Sequence, residues 1–441
     1  MGAKKLKAIA VRGSGRVSIA DRALVKEQVD QMREYVQNRM ASFTEHGTSN
    51  ATLYKSNEGT LPTRNFQQAT FAGAEEITGQ TITETFLTGR DTCYGCPVRC
   101  KRKVKTKGRY NTDPIYGGPE YETVAALGSC CGVSDLEAVL YGNQLCNAYG
   151  LDTISTGVTI AWAMECFERG LLTPEDTGGV ELHFGNAEAM VNMVEQIARR
   201  EGFGNLLAEG SLRAAQEIGR ETVQYAIQVK GQEVALHDPR TKFAHGVGIA
   251  TSPTGADHMH NLHDGSYASE RAIPYVEILG ILEPKPLDYL GPEKMRMAKY
   301  HIDFQVFHNC LGMCMFIPYS HAQIRDCVRG VTGWNTSLFD MMKAGERALA
   351  MARAFNYLQG LTAQDDAMPA RFFTHLESGS PGAGAIPRDV FSQAMATYYE
   401  MRGWDRETGA PTAVKLHELD LGWVAELLYP STGSPRLLQS N

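Results

Sequence analysis

Apolar positions along this chain recur mostly with helical spacing. From Ala20 to Ala41, Val25, Val29, Met32 and Val36 fall on one face of a predicted helix, with Asp21 placed to cap its first turn. Two helices are predicted over 134–147 and 157–170. The first opens on Ser134-Asp135-Leu136-Glu137, a capping-box spacing, and the second stops at Gly170. Further helices are predicted over 186–201, 204–218, 293–309, 321–331, 337–356 and 388–401, while strand signals are sparse after Val229. Residues 6–12, Leu-Lys-Ala-Ile-Ala-Val-Arg, read as a short buried strand with no earlier element to pair with. Gly47, Gly59, Pro62 and Gly73 punctuate a loop-rich stretch, and the helical pattern breaks again at Gly231–Pro239.

The expected architecture is therefore mainly α. A chain of 441 residues exceeds the roughly 250–300 residues at which one core stops growing. Three segments are expected: residues 1–19 with the lone strand, a helical domain over 20–235 and a second over 236–441.

Hydrophobic residues make up 43% and charged residues 21%, with a formal net charge of -7, so nothing points to nucleic acid as a partner. No run approaches the ~20 apolar residues of a membrane span. The start, Gly-Ala-Lys-Lys-Leu-Lys after Met1, is basic but lacks the apolar core of a secretory signal, which favours the cytoplasm. In that reducing compartment the ten cysteines are read as metal ligands or thiols rather than a disulfide scaffold.

Cys93, Cys96 and Cys100 form a C-x2-C-x3-C run, bent by Gly95 and Pro97, that can set three thiolates around one centre. A fourth ligand must come from elsewhere. Three close cysteines plus a remote one is a common way to hold a 4Fe–4S cluster, whereas structural zinc usually takes two C-x2-C knuckles or paired histidines. The remote candidates are Cys130, Cys131, Cys146, Cys166, Cys310, Cys314 and Cys327, and for each the plain alternative is a small buried hydrophobe. Cys314 stands out because Asn309-Cys310-Leu311-Gly312-Met313-Cys314 repeats the form of Asn147-Ala148-Tyr149-Gly150-Leu151-Asp152. Two such segments at helix ends suggest two similar halves gripping two similar groups, although a glycine turn at a helix end needs no ligand.

Several segments together resemble the aldehyde:ferredoxin oxidoreductase family over essentially the whole chain. They are Lys4-Lys5-Leu6-Lys7-Ala8-Ile9-Ala10-Val11-Arg12-Gly13, Leu61-Pro62-Thr63-Arg64-Asn65-Phe66, the cysteine loop, Gly118-Pro119-Glu120-Tyr121-Glu122-Thr123, Tyr149-Gly150-Leu151-Asp152-Thr153-Ile154-Ser155, His237-Asp238-Pro239-Arg240 and Gly255-Ala256-Asp257-His258. The resemblance implies two helical domains of that family's type. It also implies a tungsten, or molybdenum, bis-pterin centre beside a 4Fe–4S cluster held by Cys93, Cys96, Cys100 and Cys314.

Asn147, Gly150, Leu151 and Asp152 would bind one pterin, and Asn309, Gly312 and Met313 the other. The family often has Asp where this chain has Asn147 and Asn309, which trades a charged contact for a neutral one. Full chains of the family also carry a β-rich amino-terminal domain that walls the pterins and helps hold a magnesium ion on their phosphates. The lone strand is all that is expected of it here, so the sequence is expected to be a fragment, or one of two polypeptides.

The resemblance implies oxidation of an aldehyde to a carboxylic acid, with electrons leaving singly through the cluster to a ferredoxin. Glu122 and His258 match the catalytic positions, with Glu120 as second choice. Lys101, Arg102, Lys103, Lys105, Lys107 and Arg109 could steer an acidic ferredoxin, or form a solvated basic loop. A homodimer or a heteromer is compatible with this reading. A mononuclear metal site built from His245, His258, His260 and His263 is disfavoured by their spacing. Two other readings stay open. One is the tungsten subunit of an aryl-CoA reductase, which a Cys130 or Cys131 thiolate near the metal would favour. The other is a non-catalytic iron–sulfur electron-transfer fragment.

Overall fold

A computed structural model describes residues 5–379 and 384–430; Lys4 of the first motif and the outer ends of the first and last segments lie outside the described residues. The helices that matter for the site are α1 (Arg22–Arg39), α2 (Tyr121–Leu127), α3 (Leu136–Tyr149), α4 (Thr153–Glu168), α5 (Ala187–Arg199), α6 (Gly202–Leu207), α7 (Ser211–Ile218), α8 (Phe243–Thr251), α9 (Pro292–Cys310), α10 (His321–Thr332), α11 (Leu338–Leu358) and α12 (Arg388–Arg402). The chain is mainly helical, as its periodicity predicts. No described helix is long and apolar enough to cross a membrane.

Helix α1 follows its sequence closely. The Asp21 carboxylate accepts from Leu24 N at 2.9 Å, and the predicted face turns Met32 and Val36 inward onto Val98 of the cysteine loop, with α1 lying along α10. Elsewhere the ends shift. Asp135, not Ser134, caps α3, and Asp152 caps α4, which begins four residues before the predicted start. The predicted helix over 204–218 is two helices, α6 and α7, separated at Gly210, whose φ of 86° no helix accommodates.

Residues 6–12 form no strand. Ile9 and Val11 are 72% and 88% exposed, because a lone apolar segment has no ladder to join among the described residues. The strands that do form are two short antiparallel hairpins, β1 (Leu87–Asp91) with β2 (Lys101–Val104), and β3 (Gln228–Val229) with β4 (Gln232–Glu233).

One continuous core of buried side chains runs from Leu61 to Trp404, drawing on both predicted helical segments. Two close helix crossings hold it. At α2 on α4, a Cβ on Gly157 would sit 2.6 Å from the Ala126 backbone. At α9 on α11, a Cβ on Gly345 would sit 1.9 Å from the Asp303 carbonyl oxygen. The first of these crossings fixes α2, the helix that follows Glu120 and carries Glu122.

Candidate active site

The cysteine run is the loop of the β1–β2 hairpin. Pairing of Asp91 with Lys101 brings the ends of residues 92–100 together, and Thr92 Oγ1 donates to the Cys96 carbonyl at 2.8 Å within the loop. Cys93 is exposed, and Cys96 and Cys100 are half-buried against Val98, Ile317 and Tyr319. Cys314, just past the end of α9, comes to the same place, and Phe43 packs at a tilt against Phe316 beside it, ring centroids 5.2 Å apart. Burial, together with the charges of Glu120, Cys314 and Cys96, pushes the Cys100 thiol up to about 11. The distant cysteine therefore faces the local three. No three of these sulfurs lie within 4.8 Å of one another.

Buried Arg102, which sequence reasoning placed in a ferredoxin-steering patch, belongs to the scaffold instead. Its guanidinium donates to the Cys100 carbonyl at 3.0 Å and the Pro119 carbonyl at 2.9 Å, tying the cysteine loop to the acidic motif. Of the other basic residues, Arg109 pairs with Glu188 at 2.8 Å and Lys103 with Asp91 at 3.4 Å. Lys101, Lys105 and Lys107 remain exposed. Glu120, the residue before α2, accepts from the Thr48 hydroxyl, which in turn accepts from Tyr121 N at 2.8 Å. Glu120 is thus committed to holding the start of α2.

Glu122 is placed differently. Its Oε2 accepts from Leu236 N at 2.8 Å. Its Oε1 lies 3.0 Å from His237 Nε2 and 3.7 Å from His258 Nε2, but neither approach is aligned, so this buried oxygen has no hydrogen-bond partner. His237 packs among His258, His263 and His245, with ring centroids 5.3, 4.8 and 6.0 Å away. Behind the ring, His237 Nδ1 meets Lys242 Nζ at 3.1 Å and Lys55 Nζ at 3.4 Å. Burial, with the charges of both lysines, drives the His237 imidazole well below its usual value, so the ring is neutral. Glu122, His237 and His258 lie close enough to share a metal ion, although the Leu236 N–H already holds one Glu122 oxygen and Lys242 and Lys55 meet the far nitrogen of His237. His260 turns away to Asp257, at 3.1 Å. His237 is the site residue that position-by-position reasoning passed over. Its signal was its place at the head of the His237-Asp238-Pro239-Arg240 motif.

The two repeated segments adopt the same local form. Gly150 and Gly312 end α3 and α9 at φ 73° and 67°, and a Cβ on either would meet nothing within 4 Å, so both turns face open space. Asn147 Nδ2 donates to the Tyr116 carbonyl at 3.1 Å, Leu151 is half-buried, and Asp152 Oδ2 accepts from Ser155 N at 2.9 Å as the cap of α4. Asn309 is exposed, and Met313 packs on the core just before Cys314. A hydroxyl pair, Thr123 with Thr153 at 2.8 Å, joins the acidic helix to the first segment. The second segment is joined to the cysteine loop through Cys314. These open turns with backbone groups on display fit a polar cofactor edge.

A family model described as aldehyde ferredoxin oxidoreductase, domains 2 and 3, matches residues 24–421. The chain belongs to the aldehyde ferredoxin oxidoreductase family. The tungsten-containing aldehyde ferredoxin oxidoreductase of Thermococcus kodakarensis is 35% identical over 424 residues, covering 93% of this chain and 66% of the relative. That of Pyrococcus furiosus is 34% identical over 434 residues, covering 96% and 68%. The chain thus spans about two thirds of the length of these relatives. An aliphatic sulfonate oxidoreductase, WOR-like subunit, of Pyrococcus furiosus is 28% identical over 439 residues, 96% of this chain and 65% of the relative. The solved active-site complex of benzoyl coenzyme A reductase with 1,5-dienoyl-CoA matches with a TM-score of 0.71 at 19% identity, over 96% of this chain and 69% of that one, a likeness of fold.

Within this aldehyde ferredoxin oxidoreductase fold, Cys130 and Cys131 are fully buried, and the Cys131 thiol donates to the Ala126 and Gly157 carbonyls at 3.3 and 3.4 Å. Burial pushes the Cys130 thiol up to about 12. The Cys131 sulfur serves the α2–α4 crossing and the Cys130 sulfur meets the backbone of Asn65 and Phe66, so neither is a thiolate offered to a metal.

Proposed function

We propose that this chain is the cofactor-bearing part of an oxidoreductase that converts an aldehyde to a carboxylic acid and passes the electrons to ferredoxin in the cytoplasm. A tungsten, or molybdenum, bis-pterin, with a magnesium ion accompanying it, would be held by the segments ending in Asp152 and Met313, and a 4Fe–4S cluster by Cys93, Cys96, Cys100 and Cys314. The observation that carries this reading is the convergence of four cysteines from two distant segments beside an acidic motif whose Glu122 keeps one buried oxygen free.

When bound, the metal centre supplies two-electron exchange with the substrate, and the cluster hands those electrons on singly. The protein's own part is proton handling and placement. Oxidising an aldehyde with water releases protons, and a carboxylate within reach of the reacting water takes one. Glu122 Oε1 is free to do so, while Leu236 N pins the other oxygen and fixes the direction in which Oε1 points. His258, 14% exposed at its side chain, can hydrogen-bond a substrate oxygen at the same mouth. Glu120, already bound to Thr48, positions α2 and takes no proton.

Three measurements test this reading. Anaerobic reconstitution followed by metal analysis should give iron together with tungsten or molybdenum; iron alone supports a bare electron-transfer module, and zinc alone refutes the redox account. Viologen reduction with an aldehyde, set against the same assay with benzoyl-CoA, separates aldehyde oxidation from aryl-CoA chemistry. In loaded enzyme, Glu122→Gln should lower kcat by about 100-fold or more. Retained turnover would remove Glu122 from the mechanism.

A further inference from the structure

Glu122 sits at the end of a line of titratable groups that no mechanism above uses. His237 presents Nε2 to Glu122 Oε1 at 3.0 Å, and on its far side Nδ1 touches two amines, Lys242 Nζ at 3.1 Å and Lys55 Nζ at 3.4 Å. Lys242 Nζ continues to His263 Nδ1 at 2.8 Å, and His263 Nε2 lies 3.0 Å from the His258 carbonyl. Lys55 lies 4.9 Å over the Tyr121 ring, and the Tyr121 hydroxyl donates to the Leu236 carbonyl at 2.8 Å, so the amine is held in register with the ring it meets. The titratable groups facing His237 are Glu122 and Tyr121 from α2, Lys55 from the helix Thr52–Asn57, Lys242 and His245 at the start of α8, and His258 and His263 from the loop after α8. Asp264 and Asp238 lie near Lys242.

We propose that His237 is a relay that carries the proton taken up by Glu122 to the amine pair of Lys242 and Lys55, deepening the functional reading above and resting on it. In the step, the Oε1–H bond of Glu122 breaks and an Nε2–H bond forms on His237. In the same movement the Nδ1–H bond breaks and an Nζ–H bond forms on Lys242. The products are a carboxylate, the other neutral tautomer of His237 and an ammonium, with atoms and charge balanced.

Three features favour this path. The ring exchanges tautomers and never becomes an imidazolium, which its buried, lysine-flanked setting disfavours. Burial drives Lys242 and Lys55 below the usual lysine range, and Lys55 lowers Lys242 further, which makes the unprotonated amine easier to reach as an acceptor. Glu122 Oε1 is within transfer distance but misaligned at rest, as relay contacts are before substrate closes on them.

The test exploits the difference between lysine and arginine. Arginine keeps the cation but gives up no proton in the working pH range. In full-length chain without turnover, the Glu122 carboxyl band in the infrared is identified by its loss in Glu122→Gln. Lys242→Arg should then lower that band's titration midpoint by about one pH unit, because a permanent cation replaces an amine that can give up its proton. In loaded enzyme, Lys242→Arg should lower kcat about tenfold, leave KM within about twofold and raise the solvent isotope effect. Lys55→Arg serves as the second variant should Lys242→Arg fail to fold. An unmoved carboxyl midpoint, or full kcat in Lys242→Arg, overturns the relay. A shifted midpoint in a protein that oxidises no aldehyde upholds the relay and overturns only the functional reading.

Discussion

Arg102 offers the sharpest test of how the cysteine loop is held. It is 1% exposed, and its two donated bonds join residues 100 and 119 beside a single backbone bond from Gly118 N to the Arg102 carbonyl at 2.8 Å. Arg102→Met keeps most of the volume and removes the donors. Bonds from a charged donor are worth about 1.5–3 kcal/mol each, and the two stranded carbonyls bear most of that loss. Those values already include desolvation, so the net destabilisation expected is about 3 kcal/mol or more. Urea unfolding of the full chain, followed by far-ultraviolet circular dichroism, measures it, with the slope expected to stay constant.

Gly47→Ala should act on the same contact from the other side, since its Cβ would fall 1.3 Å from Arg102 Nη1. The double variant should lose less than the sum of the singles, because both break one interaction. Iron bound after anaerobic reconstitution should fall in parallel. A midpoint within about 0.5 kcal/mol of the parent for Arg102→Met would refute the reasoning, since such a value is typical of a surface change.

Other outcomes are as definite. Cys314→Ser should lose four-iron loading, read from iron and sulfide per chain and from electron paramagnetic resonance, while Cys327→Ser, outside the quartet, should keep it. Gly345→Ala should destabilise the chain by about 1–3 kcal/mol or more in thermal or urea unfolding, because backbone rather than a flexible side chain blocks the new methyl. For Glu346, burial alone would raise the carboxyl, but the ammonium groups of Lys299, Lys343 and Lys415 hold it at about 2. Its folded value lies below its unfolded one, so its contribution is complete above about pH 4.3 and is lost as pH falls toward 2. Glu346→Gln should flatten the stability curve in that window and change its slope little above it.

Much of the fold was legible because helical periodicity and caps are local. Asp21 caps α1, and the α1 face was read from four apolar positions. The cysteine spacing was equally local, and the repeated glycine turn pointed to Cys314. What escaped depended on distant partners. The segment 6–12 has strand composition but no neighbour to pair with, and pairing is not written in the segment itself. Arg102 reads as one of a basic run until Gly47, Cys100 and Pro119 are seen to enclose it. The histidines near residue 260 have similar sequence surroundings, and only the packing of His237 against Glu122 shows which imidazoles join the carboxylate and which, like His260, turn to an aspartate. Cys130 and Cys131 looked chemically eligible for the opposite reason, since nothing local announces that a helix crossing will seal them.

The hairpin that carries Cys93, Cys96 and Cys100 closes within a few residues, whereas Cys314 lies more than two hundred residues further on. A cluster bound by all four would therefore be a covalent cross-link between the ends of a very long loop. Constraints of that kind restrict the unfolded chain more as the loop lengthens, by about 4–5 kcal/mol for loops of a hundred residues or so in the chain-entropy view. Loss of metal would then show first as weakened attachment of α9 to the hairpin, with β1 and β2 still paired, and resistance to proteolysis between the two would report the redox centre's integrity without any assay of electron flow.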